Sequence, residues 1–221
     1  MLLFFQIISR VLSFFILITA SPVLLLIGLI IYIENREFPV FIQKRGITLN
    51  NSCFNIYKFR TIRTQTPKTS SGSFLYKPGM EFYISPFSAF LRKTGLDETL
   101  QLLNIIKGEM NFIGPRPLSL DDLEIMMRDF PGLYSIREKI NIKPGITGLW
   151  QIFGDRDLGI KNIIENDLHY YKNKSFKLDT KILFFTLIVM IKGNHSDSII
   201  NTKKNLNTRL INNAMGYEGK S

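Results

Sequence analysis

Residues 11–33 read Val11-Leu12-Ser13-Phe14-Phe15-Ile16-Leu17-Ile18-Thr19-Ala20-Ser21-Pro22-Val23-Leu24-Leu25-Leu26-Ile27-Gly28-Leu29-Ile30-Ile31-Tyr32-Ile33, with no charge among them. As a helix rising 1.5 Å per residue, the run reaches roughly 35 Å, enough for the hydrocarbon core of a bilayer. It is too long for a cleaved leader, and no small-residue cleavage site with a polar sequence behind it follows. Ser21-Pro22 sits near its middle. Proline cannot donate a backbone hydrogen bond and its ring crowds the preceding turn, so a bend is expected there. The Ser21 hydroxyl can return to a nearby carbonyl and soften the cost in lipid. By these residues alone a kinked helix that spans is the simpler expectation; one that bends and leaves by the side it entered is the alternative. Arg10 precedes the run and Lys44 and Arg45 follow it, so positive charge stands near both ends and selects neither orientation.

Beyond this element the 221-residue chain is long enough for one compact domain. Its net charge of +10 suits nucleic acid, an anionic membrane surface or a phosphorylated substrate. Cys53 is the single cysteine, which excludes an internal disulfide, and nothing basic adjoins it to activate the thiol. The two histidines, His169 and His195, have no zinc-ligand spacing. Magnesium stays open, since it needs only one or two carboxylates and phosphate oxygens.

Next outward, residues 39–46 and 54–62 read as a small hairpin, with Asn50-Asn51 in the turn and alternation along Phe54-Asn55-Ile56-Tyr57-Lys58-Phe59-Arg60. A period of two puts Lys58 and Arg60 on one face, where they could grip phosphate or a lipid headgroup, or form a solvated basic edge. Residues 63–73 read as a polar loop, and Phe74, Tyr76, Phe82, Tyr83 and Phe87 follow as an aromatic group, either core or interfacial.

Leu91-Arg92-Lys93-Thr94-Gly95-Leu96-Asp97-Glu98-Thr99-Leu100-Gln101 brings two adjacent carboxylates to the expected start of a helix at Thr94 or Gly95. Amides at a helix start favour an anion. Neighbours on a helix diverge by about 100°, so Asp97 and Glu98 suit different tasks, one attacking and one holding a metal. They could equally be ordinary first-turn acids. Residues 108–114 read as a loop, followed by Pro115-Arg116-Pro117, in which Pro115 and Pro117 fix the backbone around one guanidinium. Such an arginine suits bidentate phosphate recognition, or staples two loops through a carboxylate. Residues 119–130 form an amphipathic helix capped by Ser119 and stopped by Pro131-Gly132. Lys143 to Gln151 forms a second rigid loop, with Trp150 either core or interfacial anchor. Residues 160–171 are helical, and 182–191 are apolar but too short to span, suited to packing on the first helix or lying in the interface.

Taken together, Ser21-Pro22, Lys58-Phe59-Arg60-Thr61, Leu96-Asp97-Glu98 with Gln101-Leu102, Asn104, Gly108-Glu109-Met110, Gly114-Pro115-Arg116-Pro117 and Pro144-Gly145-Ile146-Thr147-Gly148-Leu149-Trp150-Gln151 resemble, in order and spacing, the bacterial sugar transferases that are small monotopic polyprenyl-phosphate phosphoglycosyl transferases. The likeness runs from about Ser13 to Gly193.

The resemblance implies an α/β monotopic membrane protein: a re-entrant helix over 1–36 bent at Ser21-Pro22, a mainly helical catalytic domain with a small hairpin over 37–193, and a polar, disordered tail over 194–221. It overrides the preference for a span, and puts the catalytic domain on the cytoplasmic face of the bacterial inner membrane. It implies Asp97 as nucleophile on a UDP-sugar, releasing UMP, with polyprenyl (undecaprenyl) phosphate taking the phosphosugar to start a glycoconjugate. Glu98 matches the partner acid that helps bind Mg2+; Arg116, Lys58 and Arg60 match groups at the phosphates. Many relatives place Arg directly after the glycine that follows Trp-Gln, whereas Gly154-Asp155-Arg156 separates them here, so the phosphate role of Arg156 stays open. Membrane lipids, downstream glycosyltransferases and a second copy of the chain are partners this reading allows; nucleic acid is not expected. The competing reading is a basic, membrane-anchored binding or assembly protein without catalysis. A polytopic phosphosugar transferase would need many spans, and at most one or two segments qualify here.

Overall fold

The computed structural model describes residues 2–64, 83–154 and 159–193, with side chains from Gln6 onward. Arg156, the aromatic residues Phe74, Tyr76 and Phe82, and the 194–221 tail lie outside the described residues.

Helix α1 spans Leu2–Asn35 and runs unbroken through Pro22. The Ser21 hydroxyl donates to Ile18 O at 2.7 Å, as the sequence suggested. By length and composition α1 could cross a membrane. It does not stand clear of the domain, however. Ser13, Ile27 and Ile31 are buried, and Leu17 and Leu24 pack on the core, a stripe at helical spacing. At one end the Arg10 guanidinium lies over Gly108. At the other, Glu34 accepts a hydrogen bond from Ser85 (2.6 Å) and Asn35 donates to Arg60 O (3.2 Å). The opposite face, including Phe14, Phe15, Ile18, Leu25, Leu29 and Ile33, is exposed and apolar.

The hairpin forms as expected: β1 (Val40–Gly46) pairs antiparallel with β2 (Phe54–Phe59), Arg45 opposite Phe54. Helix α2 (Pro86–Thr94) is capped by Ser85, whose hydroxyl accepts from Ser88 N. After it come a 3₁₀ turn over Leu96–Gln101 and helix α3 (Leu102–Lys107). The expected loop 108–114 contains a short strand, β3 (Asn111–Ile113), which pairs in parallel with β5 (Gly145–Thr147). Strand β4 (Leu118–Ser119) adds to β1, giving the order β2-β1-β4. Ser119 caps α4 (Leu120–Asp129) as read, but Pro131 does more than stop it. Pro131 opens α5 (Pro131–Glu138), because a first-turn proline lacks only an N–H that would be unpaired anyway. Helices α6 (Leu149–Phe153), α7 (Gly159–Asn173) and α8 (Phe176–Ile191) complete the described fold. α8 packs against α2, α6, β3 and β5. Ile182 and Val189 point inward, and Leu183, Phe184, Leu187 and Ile191 are exposed.

Candidate active site

Phe54 and Ile56 pack on Leu102 and Ile105 of α3. Side chains alternate along a strand, so Lys58 continues that face, and it is buried. The 3₁₀ turn that precedes α3 packs against the same strand. This turn carries Asp97 and Glu98, 0% and 5% exposed. Carboxylates so deep inside a protein are costly to ionise without compensating cations or metal, which makes them more than surface first-turn acids.

Gly95 makes the turn. Its φ of 74° is left-handed, so it ends α2 and lets the chain re-enter as a 3₁₀ helix, with Glu98 N donating to Gly95 O at 3.1 Å. The sequence reading expected an α-helix here. In the observed 3₁₀ turn, with three residues per turn, Asp97 and Glu98 diverge by about 120°. Leu96 and Leu100, flanking the acids, pack with Phe59, Leu91 and the α1 residues Ile27 and Ile31. Arg92, from the last turn of α2, is also buried and donates to Thr61 Oγ1 at 3.1 Å.

Arg116 lies two residues before β4, the strand at the other edge of the β2-β1-β4 sheet. Its guanidinium stacks over the Trp150 ring, 4.3 Å from the centroid, and Trp150 itself is core. Gly114 and Gly145 lie back to back: a Cβ on Gly114 would fall 2.5 Å from Lys143 O and 2.7 Å from Gly145 N. That contact explains the glycines of the two loops. Arg60 takes a different place. Its guanidinium donates to Phe38 O (2.9 Å) and Val40 O (3.4 Å), with Glu37 3.7 Å away, at the junction of α1 and the hairpin. The structure thus buries Lys58 on β2, the strand against which the Asp97–Glu98 turn packs, and leaves Arg60 in the frame beside α1.

Asn104 is a frame residue as well. Its amide donates to Asn55 O and Glu109 (both 2.7 Å), and its oxygen accepts from Tyr57 N (3.3 Å), so β2, α3 and Gly108-Glu109-Met110 are tied together. Sequence reading missed Arg45, Arg92 and Arg137. Buried cations Arg45, Lys58, Arg92, Arg116 and Arg137 outnumber buried Asp97, Glu98, Asp122 and Asp167 among the described residues, a balance suited to an anionic ligand. Among those residues no group of three or more His, Cys, Asp or Glu gathers as a metal cage. A magnesium ion would therefore rest on the acid pair and on oxygens brought by a ligand, a donor set that suits this ion.

The sequence profile of bacterial sugar transferases matches residues 2–193. The chain is 34% identical over 184 residues to an exopolysaccharide production protein, ExoY, of Sinorhizobium fredii, covering 77% of this chain and 78% of that protein. It is 31% identical over 192 residues to an undecaprenyl-phosphate galactose phosphotransferase of Salmonella typhimurium, covering 81% of this chain but 39% of that one. It is 32% identical over 182 residues to a UDP-glucose:undecaprenyl-phosphate glucose-1-phosphate transferase of Klebsiella pneumoniae, covering 80% and 38%. A match along nearly the whole described fold, joined to this arrangement of acids, cations and apolar helix, assigns the chain to the bacterial sugar transferase family.

Proposed function

We propose that the protein transfers a sugar-1-phosphate from a UDP-sugar to polyprenyl phosphate, releasing UMP, at the start of glycoconjugate assembly. The observation that carries this reading is the Asp97–Glu98 turn. Its carboxylates are buried, and its flanking Leu96 and Leu100 pack on the apolar cluster that Ile27 and Ile31 of the apolar helix form with Phe59 and Leu91. An acid pair at such a boundary suits a reaction between a water-soluble anion and a lipid-borne one. The names of the Salmonella and Klebsiella relatives, both undecaprenyl-phosphate sugar transferases, support the same class.

In the proposed chemistry an Asp97 oxygen attacks the β-phosphorus of the donor. The bond from that phosphorus to the bridging oxygen breaks, and UMP leaves. The sugar phosphate is then held on the carboxylate. An oxygen of polyprenyl phosphate attacks the same phosphorus, the bond to Asp97 breaks, and the diphosphate-linked sugar departs. Splitting one transfer into two gives each anionic acceptor a separate approach. Glu98 would hold magnesium, which when bound offsets charge on the diphosphate. Lys58 and Arg116 would bind phosphate oxygens in a water-poor site, where such contacts are strong. Arg60 stays in the frame at the α1 junction, its guanidinium donating to Phe38 O and Val40 O.

The re-entrant topology belongs to the same proposal, with 1–36 in the cytoplasmic leaflet of the bacterial inner membrane, bent at Ser21-Pro22, and 37–193 as the catalytic domain. What supports it is contact at both ends of α1, Arg10 with Gly108 and Glu34 with Ser85. A helix crossing a core of about 30 Å would carry one end away from a domain in water. The exposed apolar side chains of α8, Leu183, Phe184, Leu187 and Ile191, would be a second surface suited to lipid.

The test is UMP release from a panel of UDP-sugars by the detergent-solubilised protein with magnesium, with and without undecaprenyl phosphate. Lipid-dependent release with one sugar, lost in Asp97→Asn, is expected. Release undiminished in Asp97→Asn removes the nucleophile; tight lipid binding with no turnover of any donor favours a binding or assembly protein.

A further inference from the structure

Between Gly114 and Pro117 the main chain is fully paired. Gly114 N donates to Thr147 O (3.0 Å), and Gly114 O accepts from Trp150 Nε1 (3.2 Å). Pro115 O accepts from Gly145 N (3.0 Å), and Pro117 O from Arg45 Nη1 (3.2 Å). Arg116 itself is held on both sides by one pair of side chains. Its N–H donates to Asp167 Oδ1 (3.0 Å), and its carbonyl accepts from Arg137 Nη2. Arg137 Nη1 meets Asp167 Oδ2 at 2.5 Å, and Nε donates to Ile47 O at 2.7 Å. Both side chains are buried, Arg137 completely. Burial pushes the Asp167 carboxyl up, and Arg137 and the Arg116 amide pull it back.

We propose that Arg137 and Asp167 are positioning residues: a buried ion pair on α5 and α7 that clamps the backbone of Arg116 and so aims its guanidinium, over Trp150, at the donor's phosphates. The phosphate part rests on the role proposed above for Arg116. A pair serving the fold alone could sit anywhere in the core; this one closes on the N–H and carbonyl of the one arginine between two prolines. The planar fork of Arg137 reaches three acceptors spread over Nε, Nη1 and Nη2, a span the single nitrogen of a lysine does not cover.

Trp150 is the only tryptophan, so its emission reports on the guanidinium stacked over it. The experiment records Trp150 emission, thermal midpoint and UDP affinity in the full-length, detergent-solubilised protein. Wild type is compared with Arg137→Lys, Asp167→Asn, Arg116→Ala and the Arg116→Ala/Arg137→Lys double variant. In Arg137→Lys and Asp167→Asn the emission spectrum is expected to move toward that of Arg116→Ala, and UDP Kd to rise about tenfold. In the Arg116→Ala background Arg137→Lys should change Kd less than twofold, since residues that act through one another are not additive.

A folded Arg137→Lys protein with wild-type emission overturns the clamp. So does an equal rise in Kd in both backgrounds. Loss of folding in both Arg137→Lys and Asp167→Asn, where Arg116→Ala stays folded, assigns the pair to the fold alone and overturns it too. If wild type binds UDP no better than Arg116→Ala, the phosphate role of Arg116 fails instead, and the emission spectra still decide whether the pair positions that residue.

Discussion

Gly145→Ala puts one methyl where the loops of Gly114 and Gly145 meet. The new Cβ would lie within 2.5 Å of three backbone atoms, Gly114 N, Thr147 O and Ile113 C. Ordinary contact needs roughly 1 Å more, and no flexible side chain is there to yield. Separating the loops breaks Gly145 N to Pro115 O and Gly114 N to Thr147 O, both 3.0 Å. Overpacking of about 1–3 kcal/mol and two hydrogen bonds of about 1 kcal/mol each give a loss of roughly 3–5 kcal/mol. For a chain of this size that is a fall in Tm on the order of 10 °C. A shift of about 1 Å in the Arg116 loop should also lower UMP release about 100-fold. The control is Gly132→Ala in α5, where nothing lies within 4 Å of the added carbon. There the same methyl should stabilise by about 0.5 kcal/mol, through lost freedom of the unfolded chain. The assay is thermal unfolding of both variants in one detergent, with UMP release beside it. A Gly145→Ala protein melting within about 2 °C of wild type and keeping more than half its rate would refute this account of the loops.

Three further outcomes are expected. Glu98→Gln should raise the magnesium concentration needed for half-maximal UMP release; an unchanged magnesium titration would separate Glu98 from the metal. Ile31→Ala, at a fully buried position of α1 in the cluster on which Leu96 and Leu100 pack, should cost about 2–4 kcal/mol and reduce turnover, while Leu25→Ala on the exposed face should change stability by less than about 0.5 kcal/mol. Equal losses from the two would contradict the docked stripe. Burial raises the Asp179 carboxyl, against the lowering effects of the Tyr170 hydroxyl and Lys174. A raised folded pKa means the folded chain binds the proton more tightly than the unfolded one. The contribution of Asp179 to stability is therefore greatest below about pH 4 and is lost as pH rises through its raised folded value. Wild-type Tm should fall relative to Asp179→Asn across that window, and parallel Tm curves would contradict it.

Some of this was legible in the sequence and some was not, for physical reasons. Phe54 and Ile56 alternate, so the hairpin could be read from one strand. Strands β3, β4 and β5 are two or three residues long and pair across the chain, so no period marks them. A six-residue helical stretch does not distinguish three from 3.6 residues per turn, and the acids were placed on the wrong kind of helix. The inner stripe of α1 was hidden because every face of that helix is apolar. Arg137 and Asp167 did leave a trace. Arg137 stands three residues from buried Tyr134 and Ile140, and Asp167 shares a face with Ile163 and Tyr170, so each is a lone charge on an apolar stripe. Opposite charges so placed on two helices suggest a buried partner, although the sequence alone does not say which main chain they close upon.

The seam between α1 and the acid turn has a mechanical consequence. Ile27 and Ile31 share one apolar cluster with Phe59 and Leu91, and Leu96 and Leu100 pack on that cluster, so on the proposed topology the height of Asp97 above the lipid follows the depth of the helix. One helical turn is 5.4 Å, comparable to the size of a phosphate group, so a helix seated one turn too deep or too shallow would carry the carboxylate past the headgroup it must reach. The apolar helix then works as a depth gauge, and the thickness and packing of the surrounding leaflet become determinants of the rate.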